Sequence, residues 1–245
     1  MSVLSIFDPA VGLAHQLVGA LTHLMPAAAA IVLFTCGVRL ALHPLARAAA
    51  RGERARSRLA PQVAELNRRF KGRPEQHRAA LAELYRQEQA SPFAGCLPLL
   101  VQIPFFSVMY RLFTLPKVAG VPNDLLGHTL FGVPLGTHLA GAHGAGQVAV
   151  FGVLLLALAG VGYAGFRRAR AAAAATPPAP GAAIAPYLAF GTVLFAALVP
   201  LAAALYLLTT GAWSAAERAL LHRGTPAAAP TRAVAGPGGR PRPAR

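Results

Sequence analysis

The stretch FTCGVRLALHP, Phe34 to Pro44, sets an arginine inside an apolar run that otherwise reads as a membrane span. A charge at the centre of a bilayer costs between about 3 and more than 10 kcal/mol, depending on how far it reaches toward water. Two readings of Arg39 stand at this point. It lies little more than one helical turn before Pro44, so it can snorkel to the membrane surface. Alternatively it serves a polar surface within the membrane.

Composition places the chain in a membrane. Of 245 residues, 55% are apolar and only 13% charged, with a mean hydropathy of +0.50, whereas soluble domains carry about 25% charged residues. A spanning helix needs about 20 mostly apolar residues, and the windows that qualify are 25–45, 93–115, 147–166, 182–199 and 200–221. Pro200 either divides the last apolar run into two spans or kinks one helix. A single helix over both windows would be roughly 60 Å long, about twice the bilayer core, so two spans fit better.

Basic residues set the orientation. Residues 1–24 contain no Lys or Arg, and 116–146 contain only Lys117. Residues 46–92 carry eleven, 167–181 carry three, and the chain from Glu217 onward carries six. The pattern predicts an all-α polytopic membrane protein with five transmembrane helices, the N-terminus outside and the tail at 222–245 cytoplasmic. Residues 1–24 lack the leading positive charge of a secretory signal. They read as an outer-surface amphipathic helix with the stripe Leu13, Leu17, Leu21 and Leu24, or else as an extended lead-in.

The 46–92 segment has helical periodicity of its own. Leu59, Val63, Leu66 and Phe70 recur at helical steps; KGRPEQ then supplies a glycine and a proline suited to a helix end and a helix start, and Leu81, Leu84 and Tyr85 share a second face. This predicts a cytoplasmic helical hairpin between the first and second spans, eleven basic against five acidic residues. Arg54, Arg58, Arg68, Arg69, Lys71 and Arg73 are its candidate contacts to anionic lipid heads or a partner, at about 1 kcal/mol per charge near anionic lipid. The alternative is a solvated tether.

In SPFAGCLPLLVQIPFFSVMY, residues 91–110, Pro92, Pro98 and Pro104 are spaced by six, with Gln102 between the last two. Prolines in a span free carbonyls that neighbours or cavity water must satisfy, which suggests a polar cavity.

These features together, with VRLALHPL closing the first span, the hairpin ending ALAELYRQEQ and the terminal PLAAALYLLTTGAW, resemble the YidC/Oxa1/Alb3 family of membrane protein insertases. The resemblance runs in order over nearly the whole chain. It implies five spans around a water-filled groove, open to cytoplasm and lipid and closed on the outer side. Arg39 matches the groove arginine of the first span, Gln102 matches a polar groove position of the second, and Thr35 lies one turn outward of Arg39 on the same face. The chain departs from the family at its end. Leu207 follows Tyr206 where a tryptophan is common, and Thr209, Thr210 and Gly211 occupy the neighbourhood of a polar pair. The two threonines are therefore the groove candidates of that wall. Implied partners are nascent membrane proteins and membrane lipids in the plasma membrane of a bacterium, with a Sec-type translocon as a further candidate; no DNA partner is expected.

Other chemistry has little support. The chain has no phosphate-binding glycine loop, HExxH or CxxC, so neither an enzyme nor a cofactor is expected. His128, His138 and His143 lack nearby carboxylates or cysteines, and no metal is expected. Cys36 and Cys96 read as small apolar residues. The Pro- and Arg-rich tail is predicted disordered; its arginines either bind ribosomal RNA or simply anchor the tail inside. An assembly scaffold without insertase activity, or a secondary transporter, are the alternative functions. A transporter would show repeated halves, and no repeat links the first and last spans.

Overall fold

The computed structural model describes residues 8–88, 97–118, 120–174 and 185–222; the side chains at 53, 56, 57, 97–105, 172–174, 185, 221 and 222 fall outside the description. Pro92, Cys96, residues 175–181 of the 167–181 loop and the tail beyond 222 lie outside the described residues. Within them the chain is mostly helical, with four two-residue strands in one loop.

Helix α1 (Asp8–Thr22) buries Val11, Ala14 and Val18 against α2 and α5. Its leucines sit differently from the expected stripe: Leu13 and Leu17 are exposed, and Leu21 packs partly against the core. The small residues Ala14 and Val18 allow close helix approach, which leaves the larger leucines on the outer face.

Helix α2 (Ala27–Ala41) follows Pro26 and ends at Leu42. There the chain bends by 55° into α3 (His43–Arg69). Pro44 stands in the first turn of α3; a proline cannot donate to the carbonyl four residues back, but its fixed φ suits a helix start. At the other end of α3, Gly72 adopts φ +83 and Pro74 opens α4 (Pro74–Gln87). His77 of α4 meets the Asn67 side chain of α3 at 2.6 Å across that turn.

Helix α5 (Leu97–Thr114) leads into a loop with two small antiparallel ribbons: β1 (Lys117–Val118) with β2 (Val121–Pro122), and β3 (Thr129–Leu130) with β4 (Val133–Pro134). This loop is tied to the bundle. The buried Asn123 Nδ2 donates to the carbonyls of Leu112 and Leu115 at 2.6 and 2.9 Å, satisfying acceptors that every helix C-terminus leaves open.

Helix α6 (Gly144–Ala174) has 31 residues, more than the roughly 20 that a bilayer core needs. A 3-10 segment (Ala185–Phe190) runs into α7 (Gly191–Leu198). Val199 is then extended at φ −97, ψ 163, as the residue before a proline prefers, and α8 (Leu201–His222) follows as a separate helix packed on α7.

By length and composition, α6 can cross a membrane, and α2 passes together with the start of α3 as one bent pair. Helices α6 and α7 with the 3-10 segment expose Val153, Leu156, Tyr163, Tyr187, Leu188, Leu194 and Leu198. So broad an apolar surface is unusual in water and ordinary against lipid.

Candidate client groove

The first wall is α2. Its buried residues are Ala27, Ala28, Ala30, Ile31 and Thr35, all in its first nine positions. Helix α8, which packs along it, follows the same rule: Leu201, Ala202, Ala203, Ala204 and Tyr206 are buried, and among its described side chains none beyond Tyr206 is.

Both helices begin at the loop end of the bundle. The amides of Leu201 and Ala202 donate to the carbonyls of Thr137 and Leu135 at 2.9 Å each, and α2 touches β3. The bundle is therefore closed at the loop end and progressively less packed toward the end from which α3 leaves.

Arg39 stands in that looser half, partly buried and within electrostatic reach of Tyr206, Glu217 and Arg218 of α8. Tyr206, Thr210, Trp213 and Glu217 are spaced by four, three and four residues and so share one helical face. Thr210 Oγ1 and Trp213 Nε1 are shielded and lack a hydrogen-bond partner among the described residues. Leaving such a group dry costs about 1–3 kcal/mol, so this face favours water or a polar segment beside it. Thr35 and Thr209 satisfy themselves instead: Thr35 Oγ1 donates to the Ile31 carbonyl at 2.7 Å, and Thr209 Oγ1 to the Leu205 carbonyl at 2.9 Å.

Thus Thr35 and Arg39 share a face of α2, and Thr210 stands on the α8 face that approaches Arg39. Thr209 is one residue round the helix. Gln102 belongs to α5, but its side chain is outside the described part. Three residues of this region escaped the sequence reading: His43, Trp213 and Glu217. His43 Nδ1 meets Glu217 Oε1, so the residue one turn beyond Arg39 is clasped by α8. A helical-wheel reading of α8 from Tyr206 would have aligned Trp213 and Glu217; nothing local signals the partner of His43.

The basic residues of α3 and α4 are mostly solvated. Arg54 is partly buried, and Arg58, Arg68, Arg69, Lys71 and Arg73 are exposed. Arg68 pairs with Glu65 at 2.9 Å, and Arg69 lies over the Phe70 ring at 5.6 Å. On α4 the Arg86 guanidinium and the Gln87 amide hold the Glu83 carboxyl below its ordinary range. Local pairing thus neutralises part of the charge and leaves a net basic surface.

The sequence is similar to those of known proteins. A match to the 60Kd inner membrane protein family covers residues 20–228. A membrane protein insertase YidC of Helicobacter pylori is 40% identical over 83 residues, covering 34% of this chain and 15% of that protein. The protein of the same name from Paraburkholderia phymatum is 37% identical over 102 residues, covering 41% and 18%; that from Burkholderia cenocepacia gives the same figures. The matched stretches span less than a fifth of these relatives' own length. With the family match extending over most of the chain, this protein belongs to the 60Kd inner membrane protein family, the YidC/Oxa1 family that its motifs resemble.

Proposed function

We propose that the chain is a membrane protein insertase: it receives nascent membrane proteins in a polar groove and passes them into lipid. The carrying observation is the burial gradient along α2 and α8, tight from Ala27 to Thr35 and from Leu201 to Tyr206 and loose around Arg39 and Thr210. A groove closed at one end and wet at the other lowers the barrier for a polar segment without opening a pore.

In this reading five spans, 25–45, 93–115, 147–166, 182–199 and 200–221, enclose the groove. The loop end is outside, and α3 and α4, within 46–92, form the cytoplasmic hairpin. Arg39, Gln102, Thr209 and Thr210 line the groove, with Trp213 and Glu217 added by the face they share, and the buried Thr35 marks its closed end. A guanidinium stays charged at any physiological pH and offers five donors to carboxylates and carbonyls. Its field is stronger in a low-dielectric notch than in water. The hairpin arginines receive lipid heads or partners. A Sec-type translocon, and the ribosome through the basic tail, are the partners this architecture leaves room for.

The test places a photo-crosslinker at position 39 and stalls a single-span membrane protein during synthesis. Crosslinks that appear only while the translocated segment is in transit are expected. Crosslinks to lipid alone at every stalled length would overturn the groove.

A further inference from the structure

A second feature lies on an adjacent face of α8, one residue round the helix from Thr210, Trp213 and Glu217. A cleft of about 170 Å³ opens between α6, α7 and α8, floored by Gly162, Gly165 and Gly211 and edged by Arg168 and Arg218. The glycines create the space: a Cβ on Gly211 would come within 3.2 Å of Val161 Cγ1, and one on Gly162 within 3.2 Å of the Ala189 carbonyl.

The cleft has a fixed charge and a fixed level. Arg168 donates to the Ala215 carbonyl at 3.2 Å, which holds its guanidinium at the α8 edge and uses one of five donors. Glu217, next in sequence to Arg218, meets His43 and does not line the cleft, so the charged side chains of the lining are the two arginines. Beside it, Phe166 packs against Tyr163, Tyr187 and Phe190 with ring centroids 6.4, 5.3 and 5.7 Å away. The guanidinium of Arg170 lies 5.6 Å over the Phe166 ring. Tyrosines gather where hydrocarbon meets headgroups, and Tyr163 and Tyr187 are exposed.

We infer that this cleft binds an anionic phospholipid, its phosphate on Arg168 and Arg218 and an acyl chain along the glycine floor. The inference rests on the membrane reading above. Charge complementarity selects the occupant: two guanidiniums at headgroup level match a phosphodiester bearing net negative charge, whereas an apolar segment of a client leaves both cations unmatched. Basic pockets between spanning helices on the cytoplasmic side are recognisable anionic-headgroup sites.

The test uses the full chain in nanodiscs containing either photoactivatable phosphatidylglycerol or phosphatidylcholine with the same acyl chains. Crosslinked peptides are mapped by mass spectrometry. Phosphatidylglycerol is expected to label α6 near Gly162 and α8 near Gly211, and phosphatidylcholine to label them far less. Each arginine removed should cost about fivefold in labelling, roughly 25-fold for R168Q with R218Q, while R168K with R218K keeps most of it. Helix content by circular dichroism shows that the variants are folded. Equal labelling by the two lipids, labelling of α3 and α4 alone, or undiminished labelling of the double Gln variant would each overturn the site. Client capture at position 39 is read separately with both arginines intact, so failure of the lipid site and failure of the groove are distinguishable.

Discussion

The imidazole of His43 meets the carboxylate of Glu217 across 174 positions of sequence, clasping the first residue of α3 to the last helix. The Glu217 side chain is 12% exposed and that of His43 32%. Removing one partner leaves a partly buried polar group unmatched, at about 1–3 kcal/mol. His43→Ala and Glu217→Ala should each lower the midpoint of thermal unfolding in detergent. The double variant should lose less than the sum, with a coupling of at least about 0.5 kcal/mol. Additive losses would mean that the two side chains do not hold α3 to α8.

That clasp also marks the boundary of what sequence conveys. The turn at Gly72 and Pro74 and the break at Val199 and Pro200 are legible because glycine and proline act on their own backbone. The resemblance of Arg39 and the proline-rich stretch to a family is legible because those residue types are costly inside a membrane and have few uses there. The partner of His43 is not legible, since helix packing brings it from the far end of the chain. Nor is the packed face of α1. Leu13, Leu17, Leu21 and Leu24 are the larger residues and read as the stripe, but lipid rewards large side chains as readily as a core does. Helix contact instead selected Val11, Ala14 and Val18.

The two faces of α1 therefore predict different phenotypes. Val18 is fully buried and Leu13 is 58% exposed. Val18→Ala should destabilise the docked helix by about 1–2 kcal/mol through a cavity and speed amide exchange across residues 11–21. Leu13→Ala should leave that exchange unchanged while weakening retention of α1 at the bilayer. Equal exchange in the two variants would show that α1 is not docked through the Val18 face.

Asn123 pins the loop that follows α5 to the end of that helix. Asn123→Ala orphans the Leu112 and Leu115 carbonyls in a site where the residue is only 7% exposed. The expected cost is about 1–3 kcal/mol, seen as a lower unfolding midpoint and faster proteolysis within residues 116–146. Asn123→Asp should fare no better, because it removes the donor. Wild-type protease resistance in both would show that the loop is held by its ribbons and its backbone bonds to α8 without the Asn123 side chain.

The last prediction concerns Arg39. If it acts as the cation of a wet groove, Arg39→Lys should keep part of the activity, losing the planar fork but keeping the charge. Arg39→Ala should impair insertion most for clients whose translocated segment carries Asp or Glu. Stability gives a second readout. The Ala variant loses the attraction to Glu217 but also the repulsion from Arg218, and it is relieved of the desolvation of an intramembrane charge. Glu217 keeps His43 as a partner. The net change in the unfolding midpoint should therefore be small, unlike the loss expected for His43→Ala. The measurement compares one client, with acidic and with neutralised translocated segments, in the wild-type, Lys and Ala backgrounds. Equal loss with both segments would assign Arg39 to hydrating the groove without pairing with carboxylates. No loss with either would return Arg39 to a residue that only snorkels, and the polar face of Thr210, Trp213 and Glu217 would need another occupant.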